Sequence, residues 1–535
     1  MVKIRRVLIS VFDKTGIESL AQTLSSLGCE IISTGGTKRV LEEAGIKVRD
    51  ISSVTGNPEA FDGRMKTISF EIESALLFDR GKDADEALKL GIQPIDMVVC
   101  NLYPFEKVKR EGASLDVLIE NIDIGGPTMI RAAAKNYKYV TVVTDSHDYD
   151  AIIRSLNEYN GALDEKTRFN LMRKAFNHTA DYDAMIADTM NFQGGEISYR
   201  LAFDRGITLR YGENSHQQAV FLRSRDNGKS LYDMEQLHGK ELSYNNIVDI
   251  YGAVEAVKDL KRSGCAIIKH TNPCGLCDGA DQSRVFELAW AGDPVSAYGS
   301  VIAFNRTLEK DTAEFLQLDN EDKMKRKFIE VTIAPDYTPD ALEYLMKNKN
   351  LRVIKFDPSE LRQKSEMKFL FNSLLFQSVD DSLINELDIV TEATAQFPAD
   401  LVEFGVIAMR QLKSNAIAIA RKTAEGYLQL LGMGCGQPNR VNSTELALKR
   451  ARENLKNEYQ GAEESFDDYV KESLGESILF SDAFFPFPDN VEMAAAFGIR
   501  KVVQPGGSIR DKSVIQTCNS LGITMAFTGI RHFKH

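Results

Sequence analysis

The chain has 535 residues, too many for one hydrophobic core, so two or more domains are expected. With 43% hydrophobic and 27% charged residues it has the balance of a globular protein, and no stretch approaches the roughly 20 apolar residues of a membrane span. A net charge of -12 argues against non-specific nucleic-acid binding and leaves any anion binding to local Lys, Arg and helix N-termini.

Residues 1–145 alternate short apolar runs with amphipathic segments. Strands are predicted at 7–12, 30–33, 97–102 and 139–144, with helices at 17–27 and from 38 to 43. This alternation predicts a parallel sheet with helices on both faces. The opening apolar run is too short for a secretory leader and reads as the first strand. Residues 147–192 carry apolar side chains at three- and four-residue spacing and are expected to be helical. Gly194-Gly195 marks the expected boundary, giving domains 1–195 and 196–535.

Beyond it, strands are predicted at 265–269, 300–304, 329–334, 351–356, 416–420, 427–432, 478–482, 501–504 and 524–528. This is a second α/β region, perceived as two similar subdomains although no fixed-period repeat supports a duplication. The charged stretch 445–475 is expected to be a solvated helical excursion. Seven scattered cysteines, odd in number, fit a reducing cytoplasm rather than a disulfide framework. Cys274 and Cys277 form a lone CxxC without further short-spaced ligands, so no metal site is expected.

Three Gly-rich turns could meet an anion at the carboxyl edge of the first sheet. These are Asp13-Lys14-Thr15-Gly16, Ser33-Thr34-Gly35-Gly36-Thr37 and Asp123-Ile124-Gly125-Gly126. Glycines let the backbone approach, hydroxyls donate, and helix N-termini carry partial positive charge. Neither a GxxxxGK(S/T) nor a GxGxxG motif follows the first strand, so ATP- and NAD-driven chemistry lacks support. All histidines lie beyond residue 146, so chemistry in the first sheet must use Lys, Tyr or Asp, with Asn101 among the polar groups available. In the second region Lys269-His270 follows a strand and precedes the Pro/Gly pattern of residues 271–275. Histidine moves protons near neutral pH and lysine stabilises an oxyanion. Plain turn chemistry is the competing explanation for each such turn, and core packing for the aromatic run at 484–487.

Taken together, SVFDKTG, STGGT, DGRMKT, CNLYPF, NIDIGGPTMIRAAAKN, LRYGENSHQ, LSYNN, KHTNPCG, DPVSAYGSVIAFNR, LKSNA, SDAFFPFPD, QPGGSIRD and FTGIRHFKH occur in one order along the chain. On these the chain resembles the bifunctional AICAR transformylase/IMP cyclohydrolase family over nearly its whole length. The resemblance implies an N-terminal methylglyoxal-synthase-like domain and a transformylase region of two cytidine-deaminase-like subdomains without zinc ligands. It implies a homodimer with transformylase sites at the interface. No tightly bound cofactor is implied; 10-formyltetrahydrofolate serves as co-substrate, and the other partners are AICAR, formyl-AICAR and IMP. By resemblance, His270 handles the amine proton of AICAR, while Lys269 and Asn415 stabilise the tetrahedral intermediate. Arg210, Tyr211, Glu330, Gln437, Arg440, Phe485, Asp489 and Arg531 match nucleotide- or folate-side positions. For ring closure, Lys66 and Lys135 match charge-stabilising lysines, and Tyr103 and Asp123 match the proton-handling pair. Ser10, Lys14, Ser33, Gly35, Gly36, Thr37, Arg64, Thr67, Asn101 and Gly125 match nucleotide-binding positions.

The chain departs from the family after DGRMKT. Residues 68–75 lack the family's histidines, proline and glycine and bring in Glu71 and Glu73. Carboxylates beside a phosphate are repulsive unless they turn away. Two functions therefore stay open at the level of sequence: a bifunctional enzyme, or a transformylase with a nucleotide-binding N-terminal module. A deaminase fails for want of zinc ligands.

Overall fold

The computed structural model describes residues 1–61, 64–225, 228–361 and 363–535; Asp62 and Gly63 of the DGRMKT motif lie outside the described residues. It divides into two compact units, Met1–Ala202 and Phe203–His535. Residues after Gly195 stay with the first unit because Ser198 and Arg200 both bond Asp188 on its last helix.

The first unit is built on strands β1 (Arg6–Ser10), β2 (Glu30–Ser33), β3 (Val48–Asp50), β4 (Met97–Cys100) and β5 (Thr141–Val143). They pair in the order β3-β2-β1-β4-β5, every pair parallel. Strand β4 is buried throughout, as a sheet covered on both faces requires. Helices α1 (Ile17–Ser26), α2 (Gly35–Glu43) and α5 (Tyr149–Glu158) cover one face. Helices α3 (Phe70–Leu77), α4 (Gly125–Lys135) and α6 (Glu165–Gln193) cover the other. The helical stretch expected at 147–192 consists of α5 and α6. Asn160 (φ 49°) and Gly161 (φ 80°) turn the chain between them, and Ala162–Leu163 pairs with Val2–Lys3.

The second unit carries a 12-stranded sheet whose order repeats itself. Its first half holds β6 (Glu235–His238), α7 (Tyr244–Val257), the hairpin β7 (Ser263–Lys269) and β8 (Asn272–Gly279), α8 (Gln282–Ala291), β9 (Ser300–Phe304), β10 (Ile329–Ala334) and β11 (Arg352–Lys355). Its second half holds β12 (Asp388–Ile389), α9 (Ala399–Arg410), the hairpin β13 (Ile417–Lys422) and β14 (Leu428–Gly434), α10 (Arg440–Glu458), α11 (Phe466–Glu476), β15 (Ile478–Ser481), α12 (Asp489–Phe497), β16 (Lys501–Gln504), α13 (Asp511–Leu521) and β17 (Thr524–Phe527). The sheet reads β6-β11-β10-β9-β7-β8-β14-β13-β15-β16-β17-β12. Outward from the β8–β14 seam, each half shows a hairpin, an antiparallel strand, two parallel strands and an antiparallel edge. This is the two-subdomain architecture, repeated in topology with no repeat in sequence.

Helices α7 and α9 share one core that takes strand residues from both halves. On the opposite face each half keeps its own core, under α8 and under α10 to α13. Residues 445–475 correct one expectation. They are helical, but Ala447, Leu448, Ala451, Leu455, Phe466, Val470 and Leu474 are buried against the sheet. Their charges occupy only the outer face of an amphipathic layer. Residues 272–279 correct another, since the expected Pro/Gly turn is a buried strand. Pro273 is tolerated at a register shift opposite Ile267 and Ile268, where the ladder is already interrupted.

Candidate functional sites

In the first unit the sheet order reverses between β1 and β4. Chains leaving these strands diverge, and a crevice opens at their carboxyl ends. A cavity of about 560 Å³ lies there. Ser10, Lys14, Gly35, Gly36, Thr37, Arg64, Lys66, Thr67, Asn101, Tyr103, Asp123 and Gly125 all line it. Asn101 ties the strand ends together. Its Oδ1 accepts from the amides of Phe12 (2.5 Å) and Asp13 (3.1 Å), and its Nδ2 donates to Asp13 O (2.8 Å). Thr37 straps the same loop to α2, accepting from Val11 N and donating to Val11 O.

Cations gather on one side. The Lys66 ammonium lies beside Gly35, 3.6 Å from where a Cβ would stand, and that of Lys14 lies beside Gly36. Lys66 also pairs with Glu59 at 3.6 Å, and Arg64 pairs with Glu120. In the same lining, Asp123 accepts from Gly126 N (2.8 Å) at the start of α4, and its own amide donates to the Tyr182 hydroxyl (2.8 Å). Burial pushes the Asp123 carboxyl above its usual range, against the opposing Gly126 amide. Tyr103 stands edge-on to Phe12 at the mouth. Positive charge, helix N-termini and a half-buried carboxyl whose pKa burial raises therefore line one space.

Two expected residues are elsewhere. Ser33 is fully buried, and its hydroxyl donates to Ile9 O (2.6 Å), a strap between β1 and β2. Lys135 is exposed at the far end of α4, about 15 Å along the axis from Gly125 at 1.5 Å per residue. It does not line the cavity. Residues 68–75 do not line it either. They form α3, capped by Ser69, whose hydroxyl accepts from Ile72 N (3.1 Å), with Glu71 and Glu73 in its first turn, where the helix dipole favours acids. Neither Glu71 nor Glu73 is among the residues lining the cavity, so the expected repulsion has no carboxylate there to cause it.

In the second unit, Lys269 ends β7 and His270-Thr271 form the two-residue link to β8, with Lys269 opposite Asn272. Both link residues have left-handed backbone, φ 53° and 63°. For non-glycine residues this costs about 1–2 kcal/mol each. The link holds because Thr271 N donates to Asp249 Oδ1 (2.8 Å), and the Thr271 hydroxyl and Asn272 Nδ2 both donate to His270 O. Lys269 Nζ donates to Tyr298 O (2.9 Å) and Gly299 O (3.0 Å). An ammonium has three protons, so one is left for a ligand.

The β8–β14 seam brings the second half to the same end of the sheet. Cys435 Sγ lies 3.4 Å from Asn272 Oδ1. Asn415, just before β13, donates one Nδ2 proton to Gln437 O (2.8 Å), leaving the other, and its carbonyl accepts from Ser443. The Cys435–Asn272 contact brings the turn that holds Asn415 and Gln437 beside the strand that follows the His270 link. The loop holding Arg210 and Tyr211 is tied to α7, since Asn245 Nδ2 donates to Glu213 O (3.3 Å). Arg210 lies over the Tyr211 ring, Arg531 lies over Phe533, and both arginines and Asp489 are exposed.

Three expected contacts are committed elsewhere. Phe485 is 1% exposed, in the core under α10 to α13 rather than on a binding wall. It is drawn inward where its amide donates to Gln504 Oε1. Arg440 is buried and paired with Asp482 at 2.6 Å. Glu330 is paired with Arg352 at 2.7 Å. Sequence reasoning missed Asp249; the signal available was a polar residue on the mostly apolar α7 four positions after Asn245.

Two family models match the chain: one for the AICARFT/IMPCHase bienzyme over residues 133–450, the other for an MGS-like domain over residues 16–128. The bifunctional purine biosynthesis protein PurH of Persephonella marina is 43% identical over 547 aligned positions, covering 99% of this chain and all of that protein. The proteins of the same name from Acetivibrio thermocellus and Clostridium botulinum are 42% and 43% identical with the same coverage.

Proposed function

The chain belongs to the AICARFT/IMPCHase bienzyme family, and from that premise we propose how it performs the two steps that its relatives' bifunctional naming describes. The enzyme transfers the formyl group of 10-formyltetrahydrofolate to AICAR and then closes formyl-AICAR to IMP. The observation that carries this is the polar cavity of the first unit together with, in the second, the His270 link beside the turn that holds Asn415 and Gln437. The transformylase-only alternative loses its motive, because Glu71 and Glu73 do not line the cavity.

In the second unit the 5-amino nitrogen of AICAR attacks the formyl carbon. His270 takes the proton that this nitrogen sheds and delivers it to N10 of the folate as the C–N10 bond breaks. The remaining protons of Lys269 Nζ and Asn415 Nδ2 stabilise the oxyanion between those events. Arg210, Tyr211 and Arg531 hold the nucleotide, and Gln437 and Asp489 face the ligands. Arg440, Phe485 and Glu330 act by supporting the wall through the contacts described above.

In the first unit Ser10, Lys14, Thr37 and the glycines at 35, 36 and 125 hold the nucleotide phosphate and ribose. The carboxamide nitrogen attacks the formyl carbon, Tyr103 and Asp123 move the protons, Lys66 stabilises the formyl oxygen, and water leaves. Lys135 is out of reach of its own cavity, so its part is played in a second copy. A homodimer is supported independently by the exposed hairpin 365–378, where Phe369, Phe371 and Leu375 face solvent. Seven free thiols fit the reducing cytoplasm.

The test is direct. Purified protein given AICAR and 10-formyltetrahydrofolate should release tetrahydrofolate and form IMP; given formyl-AICAR alone it should form IMP. Absence of the second reaction with the first intact would restore the transformylase-only alternative.

A further inference from the structure

The link between β7 and β8 does not support itself. Two-residue hairpin links with positive φ at both positions normally use Asn-Gly or Gly-Gly, and here they are His270 and Thr271. A β-branched threonine in that conformation is an outlier that its surroundings must enforce. Bonds within the link come from the Thr271 hydroxyl and Asn272 to His270 O. The side chain that reaches it from another element is Asp249 on α7, whose Oδ1 accepts from Thr271 N at 2.8 Å. Helix α7 is anchored independently: Asn246 forms a reciprocal cap with Ser243, and Ile250, Ala253 and Val254 lie in the shared core. The carboxylate is therefore fixed to a rigid element. It is half-buried, and burial raises its pKa, opposed by the Thr271 amide that it accepts from.

We infer that Asp249 is a positioning residue for formyl transfer: it holds the left-handed His270-Thr271 link against the core helix and so aims the His270 imidazole. This rests on the assignment of His270 to formyl transfer. Asp249 touches no reacting atom. Its effect runs through the backbone of the link, so any acceptor of the Thr271 amide should serve, and relieving the strained backbone should make it dispensable.

The experiment uses the full chain with four variants: Asp249→Ala, Asp249→Asn, Thr271→Gly and the double variant Asp249→Ala/Thr271→Gly. Asp249→Ala should lower kcat for formyl transfer about tenfold or more, as loss of one charge-assisted bond allows, with KM for AICAR changed less than about twofold. Asp249→Asn keeps an acceptor and should recover most of the rate. Thr271→Gly adopts the left-handed conformation freely, and the double variant should exceed Asp249→Ala in kcat. Ring closure, performed by the other unit of the same molecules, should be unchanged in all four. Wild-type activity in Asp249→Ala overturns the inference. So does a loss in Asp249→Asn equal to that in Asp249→Ala together with no gain in the double variant. If Asp249→Ala does not fold, the ratio of Asp249→Asn to wild type and its response to Thr271→Gly decide in the same way. Absence of formyl transfer in the wild type would instead remove the assignment of His270, a distinct outcome.

Discussion

Gly126→Ala should uncouple ring closure from stability. A Cβ at Gly126 would stand 2.6 Å from Asp123 Oδ2 and 2.6 Å from Leu102 Cδ2. Neither neighbour yields easily: Leu102 is buried in the core under α4, and the Asp123 carboxylate is held by the Gly126 amide. Overpacking of this kind costs about 1–3 kcal/mol. Replacing glycine by alanine in a helix returns up to about 1 kcal/mol. The net destabilisation should therefore lie between about zero and 3 kcal/mol, inside the stability of a folded domain. The carboxylate, however, has to move, and displacement of a reacting group by about 1 Å can cost a hundredfold in rate. Conversion of formyl-AICAR to IMP should fall at least about tenfold. Formyl transfer by the same protein should keep its wild-type rate. Denaturant unfolding gives the stability term, and ultraviolet assays give the two rates. Ring closure within about twofold of wild type would refute the proton-handling role of Asp123, as would equal loss of both reactions.

Phe485→Leu should cost about 1 kcal/mol as a core substitution and leave KM for folate and AICAR unchanged; a tenfold rise in either KM would return Phe485 to the binding wall. Lys66→Ala and Lys135→Ala should each abolish ring closure alone. Mixed protomers of the two should recover part of it if Lys135 serves a second copy, and no recovery after subunit exchange would place both lysines in one protomer's reaction. Asp123→Asn should abolish ring closure yet raise the melting temperature at pH 7. Burial holds the folded-state pKa of Asp123 above its unfolded value. Its favourable contribution is therefore complete only below the unfolded pKa, about 4, and is lost as pH rises through the folded value. The gain in Asp123→Asn should disappear near pH 4, and an unchanged or lower melting temperature at pH 7 would contradict the burial argument.

The first sheet was legible because buried parallel strands read as unbroken apolar runs, as at residues 97–100. Its cavity was legible for a related reason, since Gly-rich turns at strand ends fall at the carboxyl edge whatever the packing. Strand β8 was hidden because Asn272, Pro273 and Gly275 carry turn chemistry, while the true turn is made by two residues with no such signature. The amphipathic layer at 440–476 was masked by its charge density. Side-chain commitment was not legible at all. Whether Arg440 meets a ligand or Asp482, and whether Phe485 lines a wall or fills a core, depends on partners more than 40 and nearly 20 residues away respectively.

The β8–β14 seam has a consequence for the order in which function is acquired during folding. Each hairpin and its flanking helices form from neighbouring segments, so their loop-closure cost is small. The seam joins distant parts of the chain through the registered pairs Cys277↔Gln429 and Asp278↔Leu428. It is braced by Gln429 to Leu288 O and by Asn454 to Gly292 O and Leu431 O. Lys269 and His270 arrive with one half and Asn415 with the other. A chain with both halves formed and the seam still open would hold every strand it needs and have no assembled site. Recovery of formyl transfer on refolding should therefore lag behind recovery of helical signal and report closure of this seam.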